Sequence, residues 1–330
     1  MAEEEVIDKD HMDLILERFP QMCQEAVDLA KDIKVDKDVK DITIVGMGGS
    51  GISGDILKHY LTNLDVQISV VKNYLLPKYV NEKSLVFTCS YSGNTEETVA
   101  VYREAIKRGC QIVSICSGGK LEELCKMNRT LYIKIPSGIQ PRISTPYQFF
   151  SMLMVLQNSG LIEDQGRFIK KTIAALRKSF YKDRGKDLAQ KIDKRIPIIY
   201  GSTKFLPIAM KWKTDINENA KIHAFYNVYP EFNHNEINGY VNQNGEFYVV
   251  IIRDEDDLMK IRKRMDITKK LIKKRGYDLT EMVIKGDCLL SRMFSAIFLG
   301  VWVAYWLAIL YETDPTPVEI IEALKKELVN

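Results

Sequence analysis

Two short polar loops hold the residues best suited to chemistry in this sequence. The first, GMGGSG (46–51), has the G-x-G-x-x-G spacing of a turn that lets its backbone approach a ligand closely. The second, SYSGNTEET (90–98), is rich in hydroxyls and lies where a helix is predicted to start. Backbone N–H groups in such turns and at helix N-termini bind phosphate, and hydroxyls add further donors. We expect both loops to contact one small phosphorylated ligand through Gly48, Gly49, Ser50, Ser90, Ser92 and Thr95.

A dinucleotide-binding fold is the main alternative explanation of the glycine loop. That fold places an acidic residue at the end of the second strand, about 20 residues after the glycines, to bind a ribose hydroxyl. Here VVKN (70–73) offers no acid, although Lys72 could bind a 2′-phosphate. A dinucleotide does not explain the second loop, whereas one phosphorylated ligand explains both. The structural alternative for the second loop is that Thr95, with Glu97 or Thr98, only caps the helix.

A carboxylate that could move protons lies in DINENAK (215–221), at the end of a predicted helix. Glu218 would exchange protons near neutral pH if the fold partly desolvates it. Asp215, one turn earlier, is its competitor, and a solvated position without a chemical role is the structural alternative for Glu218. The residues alone leave these interpretations open.

One of the four histidines lies in a setting that favours proton transfer. His234 stands in EFNHNEI (231–237) among Asn and Glu residues that could fix its tautomer, and imidazole titrates near neutrality. The others lie in the N-terminal segment, on a predicted helix and at the start of a predicted strand: His11, His59 and His223. A histidine in a loop is more often a plain surface residue, and that interpretation also stays open.

The first half of the chain alternates predicted strands with predicted helices, as in a parallel, doubly wound α/β sheet. The strands are expected near residues 42–46, 67–72, 85–89, 111–116 and 131–135. The segment TPYQFFSMLMVLQNSG (145–160) predicts an apolar helix that closes this half at Gly160. Both polar loops follow strands of this half, so it should hold the phosphate.

The pattern restarts after a charged helical stretch at 161–195. Further strands are expected within 196–203, 246–254 and 279–286. We therefore predict two doubly wound parallel-sheet subdomains, each with three α/β/α layers, in residues 1–160 and 161–330. In the second, the loop RDEDD (253–257) would repel an anion through its carboxylates, which confines the phosphate to the first.

Composition favours a folded cytoplasmic protein. A net charge of +3 over 330 residues gives no overall attraction to nucleic acid. Six cysteines lack any C-x-x-C spacing, which indicates reduced thiols rather than disulfides or a zinc site. The acidic N-terminus, MAEEEVIDKDHMD (1–13), lacks the basic start and apolar core of a signal peptide. We expect a cytoplasmic protein that binds neither nucleic acid nor a membrane.

Two segments bear on that expectation. FSAIFLGVWVAYWLAILY (294–311) carries no charge and reaches the lower length limit of a membrane span. We interpret it as a buried core or subunit-interface helix, because the chain before it has an α/β pattern. The segment 260–276 is basic, but no aromatic residues interleave its charges, so we interpret them as a solvated helix face. The apolar face of that helix is expected from Ile261, Met265, Ile267, Leu271 and Ile272.

Several of these segments resemble a known protein family. The two polar loops resemble those of the sugar isomerase domain, and the doubled arrangement resembles the phosphoglucose isomerase superfamily. WKTDINENAK (212–221), YPEFNHNEI (229–237) and DPTPVEIIEALKKEL (314–328) resemble segments of the bifunctional phosphoglucose/phosphomannose isomerases. The resemblance runs nearly end to end. The polar loops specify only the class of ligand, whereas the other segments are specific for this subgroup.

The resemblance implies that the chain interconverts glucose 6-phosphate and mannose 6-phosphate with fructose 6-phosphate through a cis-enediol, without a metal or a cofactor. It assigns proton transfer to Glu218 and ring opening to His234, which the neighbouring subunit of a homodimer would supply. Arg142 matches an arginine that would stabilise the enediolate. A threonine and a lysine near the C-terminus match Thr316 and either Lys325 or Lys326.

Two alternatives share the fold and the polar loops. One is an amino-sugar phosphate isomerase or deaminase, which would act on glucosamine 6-phosphate. The other is a phosphosugar sensor that binds its ligand without turnover. The lack of a recognisable DNA-binding domain in the sequence and the presence of Glu218 with His234 argue against the sensor.

Overall fold

The computed structural model describes residues 7–329, so the first six residues of the acidic N-terminal segment lie outside the described part. The strands are β1 (Asp41–Val45), β2 (Gln67–Val71), β3 (Ser84–Cys89), β4 (Gln111–Cys116), β5 (Leu131–Lys134), β6 (Ile196–Ser202), β7 (Phe225–Tyr229), β8 (Phe247–Asp254) and β9 (Asp278–Ile284). Each predicted strand is present within a residue or two of its expected bounds, and β7 follows the strand start expected at His223.

Helices connect these strands along the whole described chain. They are α1 (Met12–Glu17), α2 (Phe19–Ala30), α3 (Gly48–Tyr60), α4 (Glu96–Lys107), α5 (Gly119–Asn128), α6 (Thr145–Asn158), α7 (Gly166–Leu176), α8 (Phe180–Ile192), α9 (Leu206–Asn219), α10 (Met259–Lys274), α11 (Leu289–Leu310) and α12 (Glu319–Val329). Short 3₁₀ turns lie at Pro141–Ile143, Thr203–Phe205, Glu231–His234 and Glu236–Val241.

The chain divides into two compact units. The first unit comprises residues 18–177 and 286–291, and the second comprises residues 7–17, 178–285 and 292–329 of the described chain. The division lies further along the chain than the predicted boundary after residue 160, because α7 packs against α2 of the first unit.

The first unit is built on a sheet of five parallel strands in the order β2-β1-β3-β4-β5. Helices α4 and α5 cover one face, where their Val101 and Leu121 share a buried cluster with Val86 of β3. Helix α6 covers the other face, where Sδ of Met152 lies 3.8 Å from Sγ of Cys89. The unit therefore has the three α/β/α layers that the sequence predicts.

The second unit contains four parallel strands in the order β7-β6-β8-β9. Helix α10 covers one face, where Met265 joins Tyr200 and Val249 in a buried cluster. Helix α9 packs against β6 and β7, and Nε1 of its Trp212 donates a hydrogen bond of 2.8 Å to the carbonyl of Ala296 in α11. The predicted repetition of a parallel α/β unit is confirmed.

Two helices settle the expectations about the apolar and the basic segments. By length and composition α11 could cross a membrane, with a mean hydropathy of 2.1 over its most apolar window, but 94% of that window is buried inside the structure. The prediction of a buried helix is confirmed. In α10, Met265 and Ile272 are buried, whereas Ile267 and Leu271 are 48% and 49% exposed. The expected apolar face of α10 is therefore only partly covered.

Candidate functional site

Both predicted loops lie at the topological switch point of the first sheet. From the adjacent strands β1 and β3 the chain continues in opposite directions, to β2 and to β4. Such a reversal opens a crevice at the carboxyl ends of the two strands, where parallel α/β sheets bind their ligands. The GMGGSG loop follows β1 and the SYSGNT loop follows β3, so the topology brings the two loops to the same crevice.

A direct hydrogen bond joins the two loops. The backbone N–H of Tyr91 donates to Oγ of Ser50 over 3.2 Å, and Nε2 of Gln148 donates to the same oxygen over 3.4 Å. Ser50 is only 5% exposed. Since a hydroxyl has two acceptor sites and one hydrogen, these contacts leave the Ser50 hydrogen to donate to a ligand.

The hydroxyls of the second loop bond within the loop. Oγ of Ser90 accepts from the N–H groups of Gly93 and Thr95, at 3.1 and 3.4 Å, and lies 2.9 Å from Oγ1 of Thr95. Ser92 is exposed, and its Oγ accepts from the N–H of Asn94. Thr95 is the N-cap of α4, yet its side chain makes no capping hydrogen bond to that helix. Helix capping alone therefore does not explain this loop.

Glycine is required at two points because backbone packs against the loops. A Cβ on Gly49 would lie 2.7 Å from both Cα of Arg142 and the carbonyl oxygen of Pro141. A Cβ on Gly93, whose φ is +71°, would lie 1.8 Å from the carbonyl oxygen of Gly118. Both loops are thus packed too closely for any side chain at these positions.

Arg142 lies beside the glycine loop through its own backbone. It is 3% exposed and belongs to the 3₁₀ turn Pro141–Ile143. The backbone of this turn packs directly against Gly49 of the loop. The hydroxyl of Tyr91 accepts a hydrogen bond of 2.9 Å from the N–H of Ile139 and so ties the second loop to the same segment. Burial raises the pKa of Tyr91, which keeps its hydroxyl protonated.

Sequence analysis missed three residues that hold this site together: Tyr91, Gln148 and Ser117. Oγ of Ser117, which follows β4, donates to the carbonyl of Tyr91 over 2.7 Å. Gln148 reaches Ser50 from α6 and is fully buried. The Gly118-Gly119 pair after β4 was a signal for a turn at Ser117. The signal for Gln148 was a glutamine inside an apolar helix.

Lys72 is accounted for by an ion pair. Its Nζ lies 2.5 Å from Oδ2 of Asp55 on α3. The strand order also differs from that of the dinucleotide-binding fold. In that fold two strands lie beyond the first strand on one side of the sheet, whereas here only β2 lies beyond β1. Both observations favour the smaller phosphorylated ligand over a dinucleotide.

Glu218 lies in the last turn of α9 and is partly buried. Its competitor Asp215 is held by Lys211, whose Nζ lies 2.5 and 2.7 Å from the two carboxylate oxygens. Both members of this pair are 1% exposed. Asp215 therefore has a structural role, because separating a buried ion pair leaves a charge without compensation.

Lys221 brings the C-terminal segment to the end of α9. Its Nζ donates to the carbonyls of Glu218 and Asn219 and, over 2.7 Å, to the carbonyl of Asp314. Oδ1 of Asp314 in turn accepts from the N–H of Thr316 over 3.0 Å. The second unit therefore places Thr316 near the helix end that carries Glu218. Lys325 and Lys326 follow on α12 and are exposed.

His234 is exposed and ends the 3₁₀ turn Glu231–His234, which follows β7. Its polar neighbours bond elsewhere in the described chain: Asn233 donates to Thr268, and Glu236 accepts from the Tyr200 hydroxyl and from Asn227, both at 2.6 Å. These contacts fix the turn rather than the tautomer of the imidazole. Burial raises the pKa of Tyr200, so its hydroxyl remains a donor to Glu236.

The equivalent switch point in the second unit is filled by charged side chains. Lys204 pairs with Asp254 and lies 3.6 Å from Asp257, while Nε of Arg292 lies 2.6 Å from the other oxygen of Asp254. The two aspartates are 0% and 4% exposed. An external anion would meet two carboxylates here, and the restriction of the anion site to the first unit stays a prediction.

Within residues 7–329, no group of three or more His, Cys, Asp or Glu side chains is arranged to hold a metal ion. The donors at the first switch point are backbone N–H groups and hydroxyls. That set suits a phosphate.

Comparisons with known proteins place both units in one domain family. A model described as SIS domain matches residues 37–157, and one described as bacterial phospho-glucose isomerase C-terminal SIS domain matches residues 181–328.

Two relatives and a solved structure illustrate the similarity. A bifunctional phosphoglucose/phosphomannose isomerase of Caldicellulosiruptor bescii is 40% identical, covering 94% of this chain and 96% of its own. A D-glucosamine-6-phosphate 4-epimerase of Sulfolobus acidocaldarius is 33% identical over 75% of this chain and 78% of its own. The C-terminal domain of glucosamine-fructose-6-phosphate aminotransferase from Francisella tularensis has a TM-score of 0.71 at 17% identity, covering 92% of this chain and 96% of that one. The last similarity concerns the fold alone.

Proposed function

Because the chain belongs to the family of bifunctional phosphoglucose/phosphomannose isomerases, we propose that it interconverts glucose 6-phosphate and mannose 6-phosphate with fructose 6-phosphate. The observation that carries this proposal is the contact between Ser50 and the backbone of Tyr91, which joins the two loops at the β1/β3 switch point. A phosphate there would accept hydrogen bonds from the Ser50 hydroxyl, from the loop hydroxyls and from the N–H groups at the start of α4.

The phosphate would anchor the sugar between the two loops. Ser92, Thr95 and the backbone of Gly48 and Gly49 border the crevice, and the helix dipole of α4 favours a negative charge at its N-terminus. Binding energy from this remote group would position the reacting carbons without taking part in the chemistry. Ser90 would act mainly by shaping the loop, because its oxygen already accepts two backbone N–H groups.

Glu218 would carry the proton between C2 and C1 of the open-chain sugar. The support for this role is its place in the last turn of α9, next to the Asp314–Thr316 segment, together with the pairing of Asp215 by Lys211. The carboxylate removes the C2 proton to give an enediolate with its charge on O1, a proton then moves from O2 to O1 by way of the cis-enediol, and the carboxylic acid returns its proton at C1. Arg142 would stabilise the negative charge of the enediolate oxygen by charge-assisted hydrogen bonds.

His234 would open the cyclic sugar by moving a proton between O5 and O1. An exposed imidazole on a fixed turn can reach into a neighbouring molecule, so we propose a homodimer in which each copy supplies His234 to the other. Thr316 would contact the substrate beside Glu218, and Lys325 would approach the reacting oxygens from α12, with Lys326 as the alternative.

The chemistry itself explains why one site can serve two sugars. Glucose 6-phosphate and mannose 6-phosphate differ only in the configuration at C2, and removal of the C2 proton erases that difference. Both substrates would therefore give the same enediol, and Glu218 needs only to approach C2 in either configuration. The cytoplasm is the proposed location, in agreement with the six free cysteines.

A second candidate function follows from the similarity to the D-glucosamine-6-phosphate 4-epimerase. The same phosphate loops would bind glucosamine 6-phosphate, in which an amino group replaces the C2 hydroxyl. An enzyme of this kind would act on the amino sugar and leave glucose 6-phosphate unchanged, which gives a direct distinction between the two candidates.

The test is a coupled assay of the purified protein on glucose 6-phosphate, mannose 6-phosphate and glucosamine 6-phosphate. We expect turnover of the first two substrates, with a loss of about 10³-fold or more in kcat for Glu218→Gln and little change in fructose 6-phosphate binding. The matched control is Asp215→Asn, which should lower the melting temperature and leave kcat within severalfold of the wild type. Loss of kcat in Asp215→Asn alone would contradict the assignment of the base.

The dimer is tested by mixing two inactive chains. A dimer of one Glu218→Gln copy and one His234→Ala copy has one intact site if the histidine crosses between copies. Co-expression should then restore up to about a quarter of the wild-type activity, because half of the random dimers are mixed and each has one good site. Activity no higher than that of either variant alone would overturn the shared site.

A further inference from the structure

The C-terminal helix α12 exposes an apolar face. Ile320, Ile321, Leu324 and Leu328 are 87%, 40%, 59% and 69% exposed, and the whole stretch from Glu319 to Leu328 is exposed to solvent. A helix of this length is marginally stable in water on its own, and most helices derive their stability from packing of such a face. The apolar face of α12 therefore requires another protein surface to pack against.

The exposed face carries one carboxylate. Ile320, Leu324, Glu327 and Leu328 stand at positions i, i+4, i+7 and i+8, which share one side of a helix. Glu322 stands on the opposite side of the helix by the same spacing. A surface that covers α12 should therefore be apolar with a positive charge at one edge.

A groove of that character lies in the second unit. It has a volume of about 500 Å³ and runs between the 3₁₀ turn Glu236–Val241 and α10. Val241 and Leu271 line it and are both 49% exposed, while Lys274 and Arg275 also border it. The turn that carries His234 immediately precedes this groove in the chain.

We propose that α12 of one copy docks in this groove of a second copy, with Glu327 facing Lys274 and Arg275. Within one chain both surfaces are exposed, so α12 does not fill the groove of its own unit. Charge complementarity favours the pairing, and the partner is a second copy of this chain.

The docking would also complete the proposed active site, on which this inference rests. Lys221 ties Asp314 to the end of α9, so α12 leaves the second unit close to Glu218. The groove adjoins the turn with His234. Helix α12 would run from the end of α9 in one copy to the groove in the other copy. It would thereby bring Glu218 of one chain toward His234 of its partner. It also carries Lys325, on the flank of the apolar face, into that junction.

The test is a disulfide between two differently tagged chains, one with Leu324→Cys and one with Val241→Cys. Co-expression and mild oxidation should give a covalent species that contains both tags, whereas neither variant alone should form it. Pairing Val241→Cys with Glu322→Cys is the matched control, because Glu322 lies on the opposite side of α12. Absence of the mixed species, or equal yield with the control, would overturn the proposal.

A charge exchange provides a second test that does not depend on cysteines. Glu327→Arg and Arg275→Glu should each weaken dimerisation at least tenfold in sedimentation experiments, and the double variant should recover most of the loss. Glu322→Arg should dimerise like the wild type. Single variants that dimerise normally, or a double variant that is worse than both, would contradict the docking.

The outcome is separable from that of the proposed function. An inactive wild type that still forms the mixed disulfide would leave the docking in place and remove the isomerase. An active wild type without the disulfide would leave the isomerase and remove the docking.

Discussion

The switch points of the two units have the same topology and opposite chemistry. In each sheet the chain leaves two adjacent central strands in opposite directions, from β1 and β3 in the first unit and from β6 and β8 in the second. The first crevice is lined by glycines and hydroxyls, with Ser50 joined to Tyr91. The second is filled by Asp254 and Asp257 paired with Lys204 and Arg292.

This difference shows that topology provides a crevice but not a ligand. Backbone N–H groups and a helix N-terminus can attract an anion in either unit. In the second unit the carboxylates of the chain itself already occupy that position and bring their own cations, so an external phosphate would meet repulsion. The side chains at the strand ends therefore decide which crevice can accept an anion.

Among changes that compare the two crevices, the largest effect should come from adding one methyl group to the first. Gly93→Ala places a Cβ 1.8 Å from the Gly118 carbonyl at a φ of +71°, so the SYSGNT loop must move. A displacement of this size costs about 10²-fold or more in kcat/KM. Steady-state kinetics on glucose 6-phosphate measure it.

The control for that change lies in the second unit. Gly276 has a φ of +87° with no heavy atom within 4 Å of an added Cβ. Gly276→Ala should cost about 1 kcal/mol of stability through backbone strain and leave kcat/KM unchanged. Equal kinetics for both alanine variants would show that the loop does not bind the phosphate.

The second largest effect should be a loss of stability in the second unit. Lys204→Met removes one of the two cations that pair with Asp254, which is fully buried, and leaves Arg292 as its partner, so we expect a loss of about 2 kcal/mol. Denaturant unfolding measures the change, and KM should stay at the wild-type value. In the first unit Lys120→Met, which breaks an exposed pair with Glu123, should cost less than about 1 kcal/mol. A raised KM in Lys204→Met would place the substrate in the second crevice.

A smaller effect concerns pH. Burial raises the pKa of Asp257 above its ordinary value of 3.8, with Asp254 adding to the shift and Lys204 opposing it. A carboxyl with a raised pKa in the folded state stabilises the protein at low pH, and this stability is lost as the pH rises through the window just above 3.8.

Asp257→Asn should therefore gain stability relative to the wild type as the pH increases from the lower end of that window toward neutrality. The free energy of unfolding of both proteins, measured at several pH values, checks the trend. A difference that stays constant or reverses would mean that the cluster holds Asp257 fully ionised throughout.

The smallest effect is expected at Lys72. Its ion pair with Asp55 accounts for the charge, so Lys72→Met should change KM for glucose 6-phosphate by less than about threefold and stability by less than about 1 kcal/mol. A tenfold rise in KM would show that the first crevice needs a lysine as well as its hydroxyls.

Local patterns in the sequence were enough to predict the parallel units and the position of the two polar loops. Alternating apolar stretches gave the strands, and the residues directly after β1 and β3 gave the hydroxyl-rich crevice, since strand ends of a parallel sheet share one edge. The acidic loop after β8 could also be recognised from the sequence, because its charged residues are adjacent in the chain.

Other features depend on partners that are distant in the chain. The contact between Ser50 and Tyr91 spans 41 residues, and that between Ser50 and Gln148 spans 98. Sequence analysis predicted both loops, but a glutamine inside an apolar helix does not show by itself which distant residue it contacts. The exposure of Ile267 and Leu271 in α10 was likewise missed, because periodicity identifies an apolar face without saying what covers it.

The sequence by itself thus determined the class of fold, and it led to the prediction that a sugar phosphate binds in the first unit. The tertiary structure alone decided that Asp215 is paired with Lys211, that Lys221 joins the end of α9 to Asp314, and that α12 leaves its apolar face uncovered. The physical reason is that strand ends and helix termini place their own neighbours, whereas side-chain pairing and burial depend on which distant segments the fold brings into contact.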